Sequence, residues 1–132
     1  MSLVEELIAE NNEIKELSTV LEDLISNPSM RTNSIFCELL QRFQNKLGSH
    51  LKHEARSIYS DLLNDADKNK NKIASEFLSN TRELERIQSS YVKRWCNNNN
   101  DNQQEFEKET KDMFKLVKDR IQMEESHLFS AL

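Results

Sequence analysis

Three polar breaks divide the chain into four segments of similar length, and each segment carries an apolar residue at every third or fourth position. The breaks lie at Ser26–Ser29, Asn64–Asn71 and Asn97–Asn102. Proline cannot continue a helix, and asparagine favours caps and turns over helix interiors. Because the 132 residues include one glycine and one proline, the segments consist largely of helix formers. The pattern predicts helices over about residues 3–26, 33–64, 71–97 and 102–131.

The short connections between these long segments predict antiparallel packing of neighbouring helices. We therefore predict a single all-α domain over residues 1–132, folded as an up-down-up-down antiparallel four-helix bundle. The net charge of −5 at pH 7 argues against nucleic acid or an anionic membrane as a partner. No apolar run approaches the roughly 20 residues that span a bilayer.

The two cysteines, Cys37 and Cys96, are widely spaced and show no metal-type pattern. Residues 1–10 are acidic and amphipathic and do not resemble a signal peptide. Both features predict a cytoplasmic protein with reduced thiols. Because Cys96 lies off the apolar face of its helix, we do not expect a disulfide.

Polar residues fall on the helix faces that the apolar pattern assigns to the core. At about 100° per residue, Glu54 lies roughly 20° from Leu47 on the second-helix stripe, and His50 lies about 60° to one side. Arg120 and Glu124 fall within about 40° of the centre of the fourth-helix stripe. A lone buried charge costs several kcal/mol, so these charges should pair with one another or hold a metal. With two asparagines from the other helices, the predicted buried polar layer comprises Asn11, His50, Glu54, Asn80, Arg120 and Glu124.

Two of these segments resemble the hemerythrin-like family of HHE cation-binding domains. The segment from His50 to Glu54 is similar to the His-x-x-x-Glu pattern of the family's second helix, and Arg120 to Phe129 is similar to its fourth-helix pattern, His-x-x-x-Glu-Glu-x-x-Leu-Phe. The resemblance implies a four-helix bundle that holds a non-haem di-iron site between inward-facing histidines and carboxylates. It also implies that His50 is a terminal ligand and that Glu54 and Glu124 are the bridging carboxylates.

The chain departs from the family pattern at several ligand positions. The family's remaining histidines correspond here to Asn11 or Asn12, Asn80, Leu84 and Arg120. Three ligands therefore remain of the usual five histidines and two carboxylates, and a guanidinium stays protonated and cannot bind a cation. We predict that Arg120 takes the place of the metals and pairs with Glu54 and Glu124.

Two classes of function follow from this degenerate metal site. The first is a non-enzymatic binding or regulatory module without a cofactor, which acts through a protein partner as a monomer or homodimer. The second is a protein that senses or handles O₂, NO or iron, with di-iron, mononuclear iron or zinc held by a reduced ligand set. The candidate metal ligands are His50, Glu54, Glu124 and His127.

Further alternatives remain open for these residues. Glu124 and His127 form a Glu-x-x-His pair, the spacing that ferritin-like di-iron bundles use. His50 is alternatively an interior histidine satisfied by a neighbour, and the two glutamates alternatively face solvent at a groove. Residues 105–128 also resemble the fourth helix of the regulator of sigma D family, which implies a metal-free bundle that sequesters a sigma factor. The sequence contains no nucleophile motif, catalytic triad or phosphate loop, so we do not predict an enzyme.

Overall fold

The structure, a computed structural model, describes residues 2–31, 34–96 and 102–132. This part of the chain is helical and contains no strand. Its α-helices are α1 (Leu3–Ile25), α2 (Pro28–Arg31), α3 (Ser34–Glu54), α4 (Ser60–Leu63), α5 (Lys68–Trp95) and α6 (Gln103–Met123). A π-helical segment, Ala55–Tyr59, joins α3 to α4, and a second one, Glu124–Leu128, continues α6 into a 3₁₀ turn at Phe129–Ala131.

Capping side chains determine where the long helices begin. The side chains of Ser2, Asp67 and Asn102 accept hydrogen bonds from backbone N–H groups in the first turns of α1, α5 and α6. Asp67 therefore starts α5 at Lys68, earlier than the predicted residue 71. The short helix α2 begins inside the first predicted break. Its Pro28 is tolerated there because it occupies the first helical position, where a backbone N–H would have no partner within the helix. Most of the third break, residues 97–101, lies outside the described residues.

The buried apolar residues form two clusters, and polar residues lie between them. On α1, Asn11 separates Leu7 of the smaller cluster from Ile14 of the larger one. The same alternation occurs at Glu54 between Leu51 and Ile58. It recurs on the other two long helices at Thr81, between Phe77 and Leu84, and at Glu124, between Ile121 and Leu128. One polar layer therefore crosses the interior and divides the core into two parts.

Side-chain contacts join the long helices in a regular order. Between α1 and α3 the pairs are Glu13 with Lys46, Glu10 with His50 and Glu6 with His53. Between α5 and α6 the contacts are Arg94 with Glu105, Tyr91 with Thr110 and Thr81 with Arg120. In both helix pairs the residue number rises on one helix as it falls on the other.

The two cysteines form a disulfide, so the prediction of reduced thiols is wrong. Cys37 near the start of α3 is bonded to Cys96, and their Cα atoms are 6.0 Å apart. The prediction placed Cys96 on a regular helix, but Cys96 is the C-cap of α5, with φ −103° and ψ −23°. Its backbone N–H still donates to the oxygen of Val92, one turn earlier, and both residues pack, partly buried, against the larger core cluster. A side chain off the most buried face of α5 therefore still reaches the interior. Among the described residues, no helix has the length and hydrophobicity of a transmembrane span.

Candidate functional site

The centre of the polar layer is a cluster of one histidine and two glutamates. The Nε2 atom of His50 lies 2.9 Å from Oε1 of Glu54 and 2.9 Å from Oε1 of Glu124. His50 is 1% exposed, and both glutamates are 0% exposed. His50 and Glu54 come from consecutive turns of α3, where residues four apart share a face. Glu124 is the first residue of the π-helical segment that continues α6, so the cluster joins two parts of the chain that are distant in sequence.

Arg120 lies on the other side of the two carboxylates and contacts both. Its Nε donates to Oε2 of Glu124 at 2.9 Å, and its Nη2 donates to Oε2 of Glu54 at 2.9 Å. The guanidinium is therefore a bridge between the two acidic groups, a geometry that its planar set of donors favours. The layer contains two cationic side chains, from His50 and Arg120, facing two carboxylates.

The remaining donors of Arg120 are also satisfied. Its Nη1 donates to the backbone oxygen of Phe77 at 3.1 Å, to Oδ1 of Asn80 at 2.9 Å and to Oγ1 of Thr81 at 3.0 Å. The guanidinium carbon also lies 4.9 Å from the centroid of the Phe77 ring, within cation–π range. A buried charge with all of its donors engaged is held in one position, so Arg120 is a fixed part of the interior.

Tyr59 completes the Arg120 site, and the π-helical segment explains how it does so. Its hydroxyl donates to Oε2 of Glu54 at 3.1 Å and accepts from Nη2 of Arg120 at 2.6 Å. In a regular α-helix, the residue five positions after Glu54 would lie about 140° away from it. The segment Ala55–Tyr59 has π-helical geometry, whose hydrogen bonds join residues five apart. Glu54 and Tyr59 therefore lie on one face.

The cluster is linked to the protein surface through Glu10. Its Oε1 lies 2.7 Å from Nδ1 of His50, and its Oε2 lies 2.8 Å from Nδ1 of His53. Glu10 and His53 are partly exposed, whereas His50 is buried. Both ring nitrogens of His50 thus face carboxylate oxygens, an arrangement that suits a doubly protonated imidazolium.

These contacts shift the pKa values of the buried groups. Burial opposes the charged form of His50, but its contacts with Glu124 and Glu54 outweigh burial and raise its pKa to about 10. Burial also opposes ionisation of Glu54, but the contacts with His50 and Glu124 outweigh it and lower its pKa to about 2. In Glu124, burial and the neighbouring Glu54 outweigh His50 and raise the pKa to about 7. The two carboxylates therefore ionise in sequence, Glu54 before Glu124.

Three buried polar atoms have no hydrogen-bond partner among the described residues. They are Nδ2 and Oδ1 of Asn11 and Oε1 of Glu54. The Glu54 oxygen is close to Nε2 of His50, but the hydrogen bond of that nitrogen is directed to Glu124. Glu54 therefore has one carboxylate oxygen that is held by charge attraction alone.

Two of the predicted site residues are exposed rather than buried. Asn80 is exposed, although its side chain reaches Arg120, and the buried polar residue that α5 contributes beside Arg120 is its neighbour Thr81. His127 is exposed and lies outside the group of potential ligand atoms formed by His50, Glu54 and Glu124. It belongs to the π-helical segment Glu124–Leu128, in which residues three apart no longer share a face as they do in an α-helix.

Three residues of the site, Glu10, Tyr59 and Thr81, were not predicted from the sequence. Thr81 carries a recognisable signal, because it falls between Phe77 and Leu84 on the buried face of α5. Its hydroxyl donates to the backbone oxygen of Phe77, which allows a small polar residue to be buried at this point. The sequence around Glu10 does not indicate that its side chain reaches the interior. Only its contact with His50 of α3 in the folded protein shows this.

Comparison with the sequence models of known families places the chain in a family. The sequence model of the hemerythrin HHE cation-binding domain matches residues 2–132. Curated proteins and solved structures were also compared with the chain, and neither set contained a match. Because the family match extends over nearly the whole chain, the chain belongs to the hemerythrin HHE cation-binding domain family.

Proposed function

We propose that this hemerythrin-like domain works without a metal, as a non-enzymatic binding or regulatory module. The observation that carries the proposal is the position of Arg120, whose guanidinium bridges Glu54 and Glu124. These are the two carboxylates that would have to bind the cation. The positive charge that they require is already supplied by the protein itself.

The donor set does not fit a di-iron centre. His50, Glu54 and Glu124 are the potential ligands that come together. A histidine must be neutral to bind a metal, whereas both ring nitrogens of His50 face carboxylates and its pKa is raised to about 10. Of the four carboxylate oxygens, one, Oε1 of Glu54, lacks a hydrogen-bond partner within the described part of the chain.

The order of contacts between helices supports an up-down-up-down antiparallel bundle as the scaffold. Along the contacts between α1 and α3, and between α5 and α6, the residue number rises on one helix and falls on the other. Antiparallel neighbours produce this order. Contacts of α1 with α6 follow the same opposite order, from Glu22 with Lys118 to Lys15 with Glu125. Between α3 and α6, by contrast, the numbers rise together, as expected for a diagonal pair. Those ring contacts are Phe36 with Phe106 and Phe43 with Phe114.

A second candidate function is metal binding through the reduced ligand set, in a protein that senses or handles O₂, NO or iron. It is favoured by the proximity of ligand atoms from His50, Glu54 and Glu124, which lie within 4.8 Å of one another. Nitrogen and oxygen donors of this kind suit iron or zinc. Metal binding would require His50 to lose its proton and Arg120 to give up its contacts. Sequestration of a sigma factor stays a prediction from the sequence resemblance alone.

Metal retention separates the two candidates. Tag-free protein is incubated anaerobically with Fe(II) or Zn(II), desalted and subjected to elemental analysis. We expect metal well below one ion per chain, because the cation position is filled by Arg120 and His50. Stoichiometric metal that disappears in a Glu54→Gln variant would contradict the metal-free proposal and support the second candidate.

A further inference from the structure

The interior of the protein repeats along the chain with a spacing of 70 residues. Fifteen buried residues of α1, α3 and the segment after α3 each have a buried counterpart 70 positions later. The polar layer takes part in this repeat, and its counterpart pairs are Asn11 with Thr81, His50 with Arg120 and Glu54 with Glu124. The chain from α1 to α4 therefore contributes one half of the layer, and the chain from α5 onward contributes the other.

In the second half of the layer, the guanidinium of Arg120 satisfies its polar neighbours. Its Nη1 donates to Oγ1 of Thr81, to Oδ1 of Asn80 and to the backbone oxygen of Phe77. The hydroxyl of Thr81 in turn donates to the same backbone oxygen of Phe77. Thr81 therefore both donates and accepts a hydrogen bond within the protein.

The first half of the layer has the corresponding positions but no guanidinium. Glu10, the counterpart of Asn80, contacts Nδ1 of His50. Asn11 is 0% exposed, and both polar atoms of its side chain lack a hydrogen-bond partner within the described residues, as does Oε1 of Glu54. Buried polar groups in folded proteins nearly always have a partner, either in the protein or in ordered water. These three atoms therefore call for a partner that the side chains do not supply.

The three atoms belong to neighbouring turns of α1 and α3. Glu10 and Glu6 of α1 contact His50 and His53 of α3, so the turn that carries Asn11 lies beside the turns that lead to Glu54. Both residues also lie at the boundary between the two apolar clusters. One small group placed in the layer between α1 and α3 can therefore reach both side chains.

The side chains of the first half are smaller than their counterparts. His50 is shorter than Arg120, and Leu7 is smaller than Phe77, whose ring centroid lies 4.9 Å from the guanidinium carbon of Arg120. Since the buried positions of the two halves correspond, the first half has room for a small polar group where the second half holds the end of a guanidinium.

We infer that the polar layer binds one water molecule between Asn11 and Glu54. The amide oxygen of Asn11 and Oε1 of Glu54 accept hydrogen bonds, whereas Nδ2 of Asn11 donates them. Water matches this set, because it donates two hydrogen bonds and also accepts, and buried waters typically make about three. A monovalent cation would match only the two oxygens, and Nδ2 of Asn11 would stay without an acceptor. This site goes beyond the proposed function and is compatible with it.

A high-resolution crystal structure provides the first test. One set of crystals is grown without added metal, and a second set is soaked in rubidium chloride, because anomalous scattering distinguishes rubidium from water. We expect an electron-density peak about 2.5–3.2 Å from Oε1 of Glu54 and from the side-chain amide of Asn11, and no anomalous peak there. The second half is the internal control, since Nη1 of Arg120 already lies beside Thr81 and no water is expected at that position.

An Asn11→Leu variant tests the same site in solution. Magnetic relaxation dispersion of ¹⁷O counts the long-lived internal waters, and we expect the variant to have one fewer than the wild type. It should also unfold at a lower urea concentration, because Oε1 of Glu54 would lose its donor. Were the amide of Asn11 truly without a partner, leucine would remove two unsatisfied polar groups and raise that concentration.

Ser18→Ala is the matched control on α1. Ser18 is buried on the same face of the helix as Asn11, but its hydroxyl already donates to the backbone oxygen of Lys15. The number of long-lived waters should therefore be the same in Ser18→Ala as in the wild type.

Four results would overturn the inference. These are no density peak between Asn11 and Glu54, a rubidium peak at that position, a direct hydrogen bond between the two side chains, or an Asn11→Leu variant more stable than the wild type. None of them depends on the retention of Fe(II) or Zn(II), so the water site can fail while the metal-free proposal stands.

Discussion

Replacement of Arg120 by alanine is expected to lower the free energy of unfolding at pH 7 by about 3–5 kcal/mol, the usual cost of removing one partner from a buried ion pair. The variant leaves Glu54 and Glu124 facing each other without the guanidinium that bridges them. It also removes the hydrogen bonds that Arg120 donates to the hydroxyl oxygens of Tyr59 and Thr81. Urea unfolding followed by circular dichroism measures the effect.

Two further variants identify the cause of this loss. Arg86→Ala removes an exposed arginine that pairs with Glu83 on the same helix, and it should leave the stability nearly unchanged. Glu54→Gln combined with Arg120→Met removes both charges and should be less destabilising than Arg120→Ala alone. If Arg120→Ala is as stable as Arg86→Ala, the guanidinium does not hold the polar layer together.

Removal of the disulfide is expected to cost about 4 kcal/mol, a large part of the stability of a domain of this size. Cys37 and Cys96 are separated by 59 positions, so the bond removes much of the conformational entropy of the unfolded chain. The double variant Cys37→Ala and Cys96→Ala should unfold at a correspondingly lower urea concentration than the oxidised wild type.

The double variant also serves as the control for reductant. Dithiothreitol should destabilise the wild type to about the level of the double variant and should have no effect on the double variant. Equal stability of the wild type with and without dithiothreitol would show that the bond between Cys37 and Cys96 does not stabilise the fold.

Helical periodicity in the sequence predicts the all-helical fold and the burial of most of the polar layer. Glu54 and Arg120 belong to long helices with clear apolar stripes, and Glu124 directly follows α6, so their phase is well determined. Asn80 was assigned to the interior because Thr81, a polar residue, was not counted on the buried face of α5. A shift of one residue rotates the face by about 100°, which is enough to exchange the two.

The other differences arise where the backbone departs from α-helical geometry. The two π-helical segments begin immediately after Glu54 and at Glu124, and they change which residues share a face with those glutamates. Tyr59 is thereby brought to the site, whereas His127 is left exposed. The disulfide was missed for a different reason, because Cys96 lies off the most buried face of α5 and yet packs, partly buried, against the core. Propensity and periodicity describe regular helices and contain little information about these local changes.

The metal-free description of the polar layer requires positive charges on both Arg120 and His50. The imidazole of His50 must therefore be protonated at neutral pH. Its contacts with Glu124 and Glu54 raise its pKa to about 10 against the opposing effect of burial. An unfolded chain would release this proton near pH 6.5. His50 therefore contributes stability that is complete below about pH 6.5 and is lost as the pH rises towards 10.

The most direct measurement is a titration of His50 by ¹⁵N NMR of its ring nitrogens, with the signals assigned from a His50→Gln variant. We expect both nitrogens to remain protonated through pH 8 and to titrate with a midpoint near pH 10. A ring that is neutral at pH 7 would contradict this description of the site, because a neutral imidazole beside Glu54 and Glu124 is free to bind a metal.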